Sequence, residues 1–229
     1  MSAGGLGEAI AERLAAVDAR VRQACERAGR AREEVRILAV SKRHPPGAIR
    51  AAYAAGQRDF GENYVQELDE KAAALADLDG LRLRFIGHLQ RNKARVLVRR
   101  GCSVDTVDSE RLALELDRLA TREGRRVEVL LQVNIDREAQ KAGIDPDQVP
   151  GLCARVAQLP GLELRGLMAI PAPAEEPEAM RPAFRRLAQL GQQLGLPELS
   201  MGMSDDLEVA VEEGATMVRV GTAIFGPRS

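Results

Sequence analysis

The sequence contains no tryptophan, and aromatic residues make up only 3% of its 229 residues. Few aromatic side chains leave little surface on which nucleic-acid bases stack. The 33 Lys and Arg residues are balanced by 34 Asp and Glu, so the formal net charge is −1 and no overall field attracts a polyanion. We therefore expect no nucleic-acid partner.

Cysteine and histidine are also scarce. The three cysteines (Cys25, Cys102 and Cys153) are widely separated and form no CxxC pair, and the two histidines (His44 and His88) have no metal-ligand spacing. This pattern predicts reduced, buried thiols and no metal site. The N-terminal segment has early acids and no long apolar run, so it resembles neither a signal peptide nor a membrane span. We expect a cytoplasmic protein without a membrane partner.

Apolar, strand-like runs alternate with segments that carry helix signals. Helical spacing of apolar residues predicts a first helix from about Leu6 to Gly29. Eight strand-like runs follow it: Val35–Val40, Asp59–Gly61, Leu83–Gly87, Ser103–Val107, Val127–Asn134, Leu162–Ile170, Leu199–Gly202 and Met217–Gly221.

This alternation predicts an α/β fold, a single (β/α)8 TIM barrel with an extra N-terminal helix. The rival is a doubly wound open sheet, which the absence of a glycine-rich dinucleotide fingerprint after the first strand disfavours. No linker or second domain is apparent. We predict one domain over residues 1–229, with the helix and lead-in at 1–34 and the barrel at 35–226.

In such barrels functional groups gather where strands end. Lys42 follows the first predicted strand, and two glycine-containing loops, LSMGMSDD and VRVGTAIFG, follow the seventh and eighth. Glycine lets the backbone approach an anion, and free N–H groups and hydroxyls bind it, so these loops fit a phosphate. Ordinary tight strand-to-helix turns need glycine too, and that alternative stays open.

Most lysines are exposed, and Lys42 alone proves nothing. A lysine at a barrel mouth, near a cation such as Arg219, would have a depressed pKa and a nucleophilic neutral amine. Arg219 interrupts an apolar strand and needs a partner, either a carboxylate such as Glu62 or a ligand. A Schiff-base lysine beside a phosphate site fits two classes: a pyridoxal 5′-phosphate (PLP) protein or a sugar-phosphate aldolase.

Several longer segments stand in the order LAVSKRHPP, FGENYVQE, FIGHLQRNK, LQVNIDREAQKAGI, GLMAI and LSMGMSDDLEVAVEEGATMVRVGTAIFG. Together they closely resemble the pyridoxal phosphate homeostasis protein family, from about Val35 to Gly226. The resemblance implies a barrel like the N-terminal domain of alanine racemase, with PLP as its cofactor.

The resemblance also implies roles for single residues. Lys42 matches the Schiff-base lysine, and Arg219 matches the arginine that faces the pyridine nitrogen. Phosphate-binding positions are matched by Ser200, Gly221 and Thr222. Pocket positions near the cofactor are matched by Asn63 and Met201, with Met168 and His88 lining or approaching the pocket.

The resemblance implies a PLP carrier that takes part in intracellular PLP homeostasis, and no catalytic residue is predicted. An arginine beside the pyridine nitrogen disfavours its protonation, which weakens the ring as an electron sink. In the related racemase a second domain and a partner subunit complete the site, and we expect neither here. The expected partners are PLP and PLP-dependent apoenzymes, and the family resemblance favours a monomer. The alternatives are a weak amino-acid racemase and, more remotely, the aldolase.

Overall fold

Eight parallel strands form a closed barrel in the computed structural model, which describes residues 3–138, 140–172 and 175–227. The strands are β1 (Arg36–Val40), β2 (Asp59–Glu62), β3 (Arg82–Phe85), β4 (Ser103–Val107), β5 (Val127–Val133), β6 (Leu162–Ala169), β7 (Glu198–Ser200) and β8 (Met217–Val220). Each pairs with its sequence neighbours, and β8 pairs with β1 to close the ring. The predicted (β/α)8 barrel is confirmed, and the open sheet is excluded.

Helices connect the strands on the outside of the barrel. They are α1 (Ala3–Arg27), α2 (Pro46–Ala54), α3 (Val65–Ala74), α4 (Ala94–Arg100), α5 (Glu110–Arg122), α6 (Val149–Val156), α7 (Arg181–Gln193), α8 (Leu207–Glu212) and the short α9 (Thr222–Phe225). The extra N-terminal helix α1 packs against α2, α8 and α9. The proposed boundary at residue 35 stays a prediction, although β1 begins beside it.

The alternation of side chains along β1 assigns its two faces. Ile37 and Ala39 belong to the large apolar core between the strands and the helices, whereas Leu38 packs with Ile86 and Met217 in a small separate cluster inside the barrel. Val40 packs on that inner cluster. The face of β1 that continues to Lys42 therefore points into the barrel. Because both faces of β1 are apolar, the alternation of side chains in the sequence could not assign this face.

The barrel interior toward the amino-terminal ends of the strands, called here its lower part, is charged, which was not predicted from the sequence. The Arg84 guanidinium lies 2.8 Å from the Asp105 carboxylate, and both side chains are buried. Arg36 pairs with Glu198 at 2.6 Å at the start of β1 and β7. Burial raises the pKa of Asp105, and Arg84 opposes that rise. An ionic layer thus fills the space below the apolar cluster.

Close strand approach explains one glycine. Gly166 in β6 lies so near the Glu198 carbonyl of β7 that an added Cβ would overlap it. A side chain at this position would push the two strands apart, so only glycine preserves the pairing of Gly166 with Glu198.

The amphipathic helix α5 offers a matched test of the outer core. Leu116 is 0% exposed and Leu114 is 49% exposed, two residues apart on the same helix. Leu116→Ala should lower the free energy of unfolding by about 2–5 kcal/mol, because it leaves a cavity in packed surroundings. Leu114→Ala should change it by at most about 0.5 kcal/mol. Urea unfolding of both variants measures the difference, and similar losses would contradict the assigned packing of α5.

Candidate functional site

A cavity of about 390 Å³ opens at the carboxyl ends of the strands. Five of the seven residues predicted to bind a cofactor line it: Lys42, Asn63, Arg219, Gly221 and Thr222. These residues come from three separate segments of the sequence, after β1, after β2 and around the end of β8. The barrel brings them together because β1 lies between β2 and β8 in the sheet.

The other two predicted residues lie outside the cavity lining. Ser200 and Met201 are both 0% exposed, at the point where β7 ends. The chain then turns at Gly202, whose φ of +87° favours glycine, and Met203, Ser204 and Asp205 reach the cavity instead. The segment LSMGMS contains two serines, and the structure places the second at the cavity.

Arg219 is held by the main chain and by Ser200. Its Nη1 donates to the Ser200 carbonyl at 2.7 Å and to the Ser200 Oγ at 3.0 Å, and its Nη2 donates to the Ala169 carbonyl at 2.9 Å. Burial lowers the pKa of Arg219 to about 10, with Asp105 and Asp206 opposing that effect. The guanidinium therefore stays a cation near neutral pH and is fixed in direction by neutral acceptors.

Glu62, which the sequence suggested as a partner for Arg219, forms its hydrogen bonds with other residues. Its Oε1 accepts hydrogen bonds from Ser41 Oγ at 2.6 Å and from Lys71 Nζ at 2.7 Å. The neighbouring Phe60, two residues earlier in β2, belongs to the outer core, so Glu62 points outward toward α3. Burial raises the pKa of Glu62 to about 7, and the bonds from Lys71 and Ser41 oppose that rise.

The loop carrying Ser204 is fastened to the N-terminal helix. Arg20 of α1 donates from Nη2 to the Ser204 carbonyl at 2.8 Å, and its Nε lies 2.6 Å from the Glu208 carboxylate. Asp206 accepts a hydrogen bond from the Met203 N–H within the same loop. An element outside the barrel thus holds one wall of the cavity.

The two histidines differ in position. His44 lines the cavity, and its ring stacks on Phe225 with centroids 5.0 Å apart. The His88 side chain is 68% exposed, lies 3.8 Å from Asp108 and faces a different groove. Met168, another expected pocket neighbour, is buried in β6.

A larger groove, about 720 Å³, lies between α7 and the segment after β5. Its lining includes Asp136 and Arg186, which pair with each other at 2.9 Å. None of the four lysines of the chain lines it. Despite its size, it lacks the lysine and the glycine loops that give the cavity at the strand ends its chemistry.

Residues 3–138, 140–172 and 175–227 contain neither a cluster of metal ligands nor a membrane-spanning helix. Within these ranges no three His, Cys, Asp or Glu side chains are grouped as metal ligands would be. No helix in them has both the length and the apolar character needed to cross a bilayer.

Comparison with known proteins places the chain in a family. Residues 13–229 match the family model described as alanine racemase, N-terminal domain. A protein of Pseudomonas aeruginosa named pyridoxal phosphate homeostasis protein is 51% identical over 221 residues, which cover 96% of each chain. The chain belongs to the pyridoxal phosphate homeostasis protein family. The family resemblance seen in the sequence is thereby confirmed.

Solved structures of this family share the fold. PipY of Synechococcus elongatus, determined with PLP bound, is 41% identical with a TM-score of 0.82, covering 95% of this chain and all of that one. Alanine racemase from Corynebacterium glutamicum, at 20% identity and a TM-score of 0.69, shows likeness of fold alone. This chain covers 60% of the racemase. A relative from Aquifex aeolicus, 44% identical over 223 residues, also carries the name pyridoxal phosphate homeostasis protein, and the match covers 95% of this chain and 97% of that one.

The raised pKa of Glu62 predicts a pH dependence of stability. Because the folded state binds this proton more tightly than the unfolded chain, the contribution is complete below about pH 4.5 and is lost as pH rises through about 7. The glutamine of Glu62→Gln has no proton to lose. Between pH 5 and pH 8, the free energy of unfolding of this variant should therefore fall by about 1–3 kcal/mol less than that of the parent protein. Urea titrations at several pH values provide the measurement. Parallel curves for the two proteins would assign the pH dependence to another group.

Proposed function

We propose that this protein binds PLP in the cavity at the strand ends, holds it as a Schiff base on Lys42, and takes part in intracellular PLP homeostasis without efficient catalysis. The observation that carries the proposal is the convergence of Lys42, Arg219 and Gly221–Thr222 on one cavity. A PLP-bound relative at 41% identity supports it.

The cavity suits PLP in size and chemistry. Its volume of about 390 Å³ lies within the range of about 300–1,000 Å³ that is common for small-molecule sites. Gly221 offers only main-chain groups to the cavity, and the Thr222 and Ser204 hydroxyls are available as donors to a phosphate. We assign the serine contact to Ser204 in place of Ser200, because Ser204 lines the cavity and Ser200 supports Arg219.

Asn63 and Met201 take different positions in this proposal. Asn63 lines the cavity after β2 and would contact the cofactor directly. Met201 is buried in the core beneath the loop, where it would support Ser204 through packing. The Lys42 amine would condense with the cofactor aldehyde, with loss of water.

When bound, PLP supplies a reactive aldehyde and a ring able to accept electrons. Arg219 limits the second property. It remains a cation near neutral pH, and a second positive charge on the facing pyridine nitrogen would be repelled in a buried site. The ring would then stabilise a substrate carbanion poorly, which favours storage and delivery of PLP over racemisation.

A weak amino-acid racemase is the second candidate, because His44 lines the same cavity as Lys42 and racemisation needs an acid–base group on each face of the substrate. Its signature would be α-proton exchange that Lys42→Ala and His44→Ala both abolish. Delivery to PLP-dependent apoenzymes, a cytoplasmic location and a monomeric state are parts of the homeostasis proposal.

The chain has four lysines, Lys42, Lys71, Lys93 and Lys141, so a pyridoxyl adduct can be assigned to one of them by peptide mapping. After incubation with PLP, the parent protein should show a visible absorbance band that borohydride bleaches, and peptide mass mapping should place the pyridoxyl group on Lys42. Lys42→Ala should lose the band and the adduct, because no other lysine lines the cavity.

The matched control is Lys93→Ala, which removes an exposed lysine from a short 3-10 helix and should keep both signals. A parent protein that stays colourless with PLP would contradict the proposal. Trapping of a sugar phosphate on Lys42 instead would support the aldolase class.

A further inference from the structure

We propose that Glu62, Glu67 and Lys71 form a clamp that holds the main chain on both sides of Lys42 and thereby positions its amine. These three residues, from β2 and α3, are called the β2–α3 clamp. The inference rests on the proposed function of Lys42 and extends it to residues outside the cavity lining.

The first contact of the clamp is with Ser41, immediately before Lys42. The Ser41 Oγ donates to Glu62 Oε1 at 2.6 Å, and the Ser41 carbonyl accepts a hydrogen bond from Lys71 Nζ at 2.8 Å. The Ser41 N–H donates to the Gly61 carbonyl at 3.0 Å. The hydroxyl and both main-chain polar groups of Ser41 are thus engaged by β2 and α3.

The second contact is with Arg43, immediately after Lys42. The Arg43 N–H donates to Glu67 Oε2 at 2.8 Å, and its φ of +63° lies in the left-handed region. A residue other than glycine adopts this conformation at a cost, which surrounding contacts must offset. Glu67 supplies such a contact, and Lys71 Nζ also donates to Glu67 at 3.0 Å.

The burial of the charged clamp residues indicates a role other than stabilising the fold. The side chains of Lys71 and Glu62 are 5% and 0% exposed. Buried ion pairs contribute little net stability compared with apolar residues of the same size, and α3 otherwise buries the apolar Val65 and Leu68. What the charged groups provide here, and apolar ones would not, is directed hydrogen bonding to the two neighbours of Lys42.

This arrangement predicts a selective effect on the covalent bond. Bond formation requires the amine to lie close to the aldehyde carbon in a narrow range of directions. A looser Lys42 backbone should weaken that step and leave the phosphate and ring contacts of the cavity unchanged. Two probes separate these contributions: PLP, and pyridoxine 5′-phosphate, whose hydroxymethyl group forms no Schiff base.

The primary variant is Glu67→Ala, which removes the acceptor for the Arg43 N–H. We expect it to raise the Kd for PLP about tenfold, because a less well positioned Lys42 amine makes covalent bond formation less favourable. The Kd for pyridoxine 5′-phosphate should stay within about twofold. Glu67→Gln keeps a side-chain oxygen acceptor at this position and should restore most of the affinity for PLP.

The matched control is Glu115→Ala on α5. Glu115 has the same side-chain exposure as Glu67, 28%, and also pairs with a cation on its own helix, Arg118. It should leave both Kd values unchanged. The double variant Glu62→Met with Lys71→Met replaces the buried pair with apolar side chains and removes its contacts with the Ser41 hydroxyl and carbonyl. It should weaken PLP binding and the borohydride-trapped adduct at Lys42 by more than Glu67→Ala does.

The outcomes separate the two proposals. If the parent forms the Lys42 adduct and the clamp variants bind both probes as the parent does, the clamp proposal is overturned and the cofactor proposal stands. Equal weakening of both probes also overturns it, since the clamp would then only maintain the cavity. A parent that forms no Lys42 adduct overturns the proposed function and the inference that depends on it.

Discussion

The pairing of β1 with β8 is the constraint on which the site depends. Leu38 of β1 lies opposite Arg219 of β8, and the next pair along is Ala39 with Val220. Two segments from opposite ends of the sequence therefore lie side by side, and the loops that follow them open at the same place. Lys42 reaches the cavity from one loop, and Gly221 and Thr222 from the other. In an open sheet, β1 and β8 would not share this edge.

The side chains that fill the barrel change from charged to apolar along the barrel axis, and the charged layer influences a residue of the cavity. Charged residues pair in the lower layer, with Arg84 and Asp105 at its centre. The apolar cluster of Leu38, Ile86 and Met217 packs inside the same barrel. Arg219 stands at the cavity wall, where the desolvation that lowers its pKa is opposed by Asp105 below. The buried carboxylate thus helps to keep the guanidinium charged without neutralising it in a direct ion pair.

The parts of the structure that follow local rules could be predicted from the sequence. Apolar runs at regular intervals predicted the eight strands. The ends of those strands predicted that Lys42 and the loop at Gly221 lie at the mouth of the barrel. The direction of Lys42 could not be predicted, because both faces of β1 are apolar and parity is then uninformative. The burial of Ser200 and the position of Ser204 at the cavity could not be predicted either, because they depend on where β7 ends, and the ends of assigned elements are uncertain by a residue or two.

The buried pair of Glu62 and Lys71 was missed for another reason. The two residues are nine positions apart, on a strand and on the following helix, and charged residues in such places are usually solvated. The spacing of Lys71 behind Glu67 is an ordinary helical i, i+4 pair. Only the packing of α3 against β2 shows that the lysine is turned inward. Long-range ion pairs of this kind leave no periodic signal in a sequence.

The bond from Arg20 to the Ser204 carbonyl gives the N-terminal helix a meaning for protein engineering. The eight strands pair with one another and not with α1, so a designer seeking a minimal scaffold would regard α1 as dispensable and trim it. That edit would remove Ile10, Val17 and Val21 from the main core and release one wall of the cavity. In this protein a helix outside the barrel belongs both to the folded core and to the binding surface.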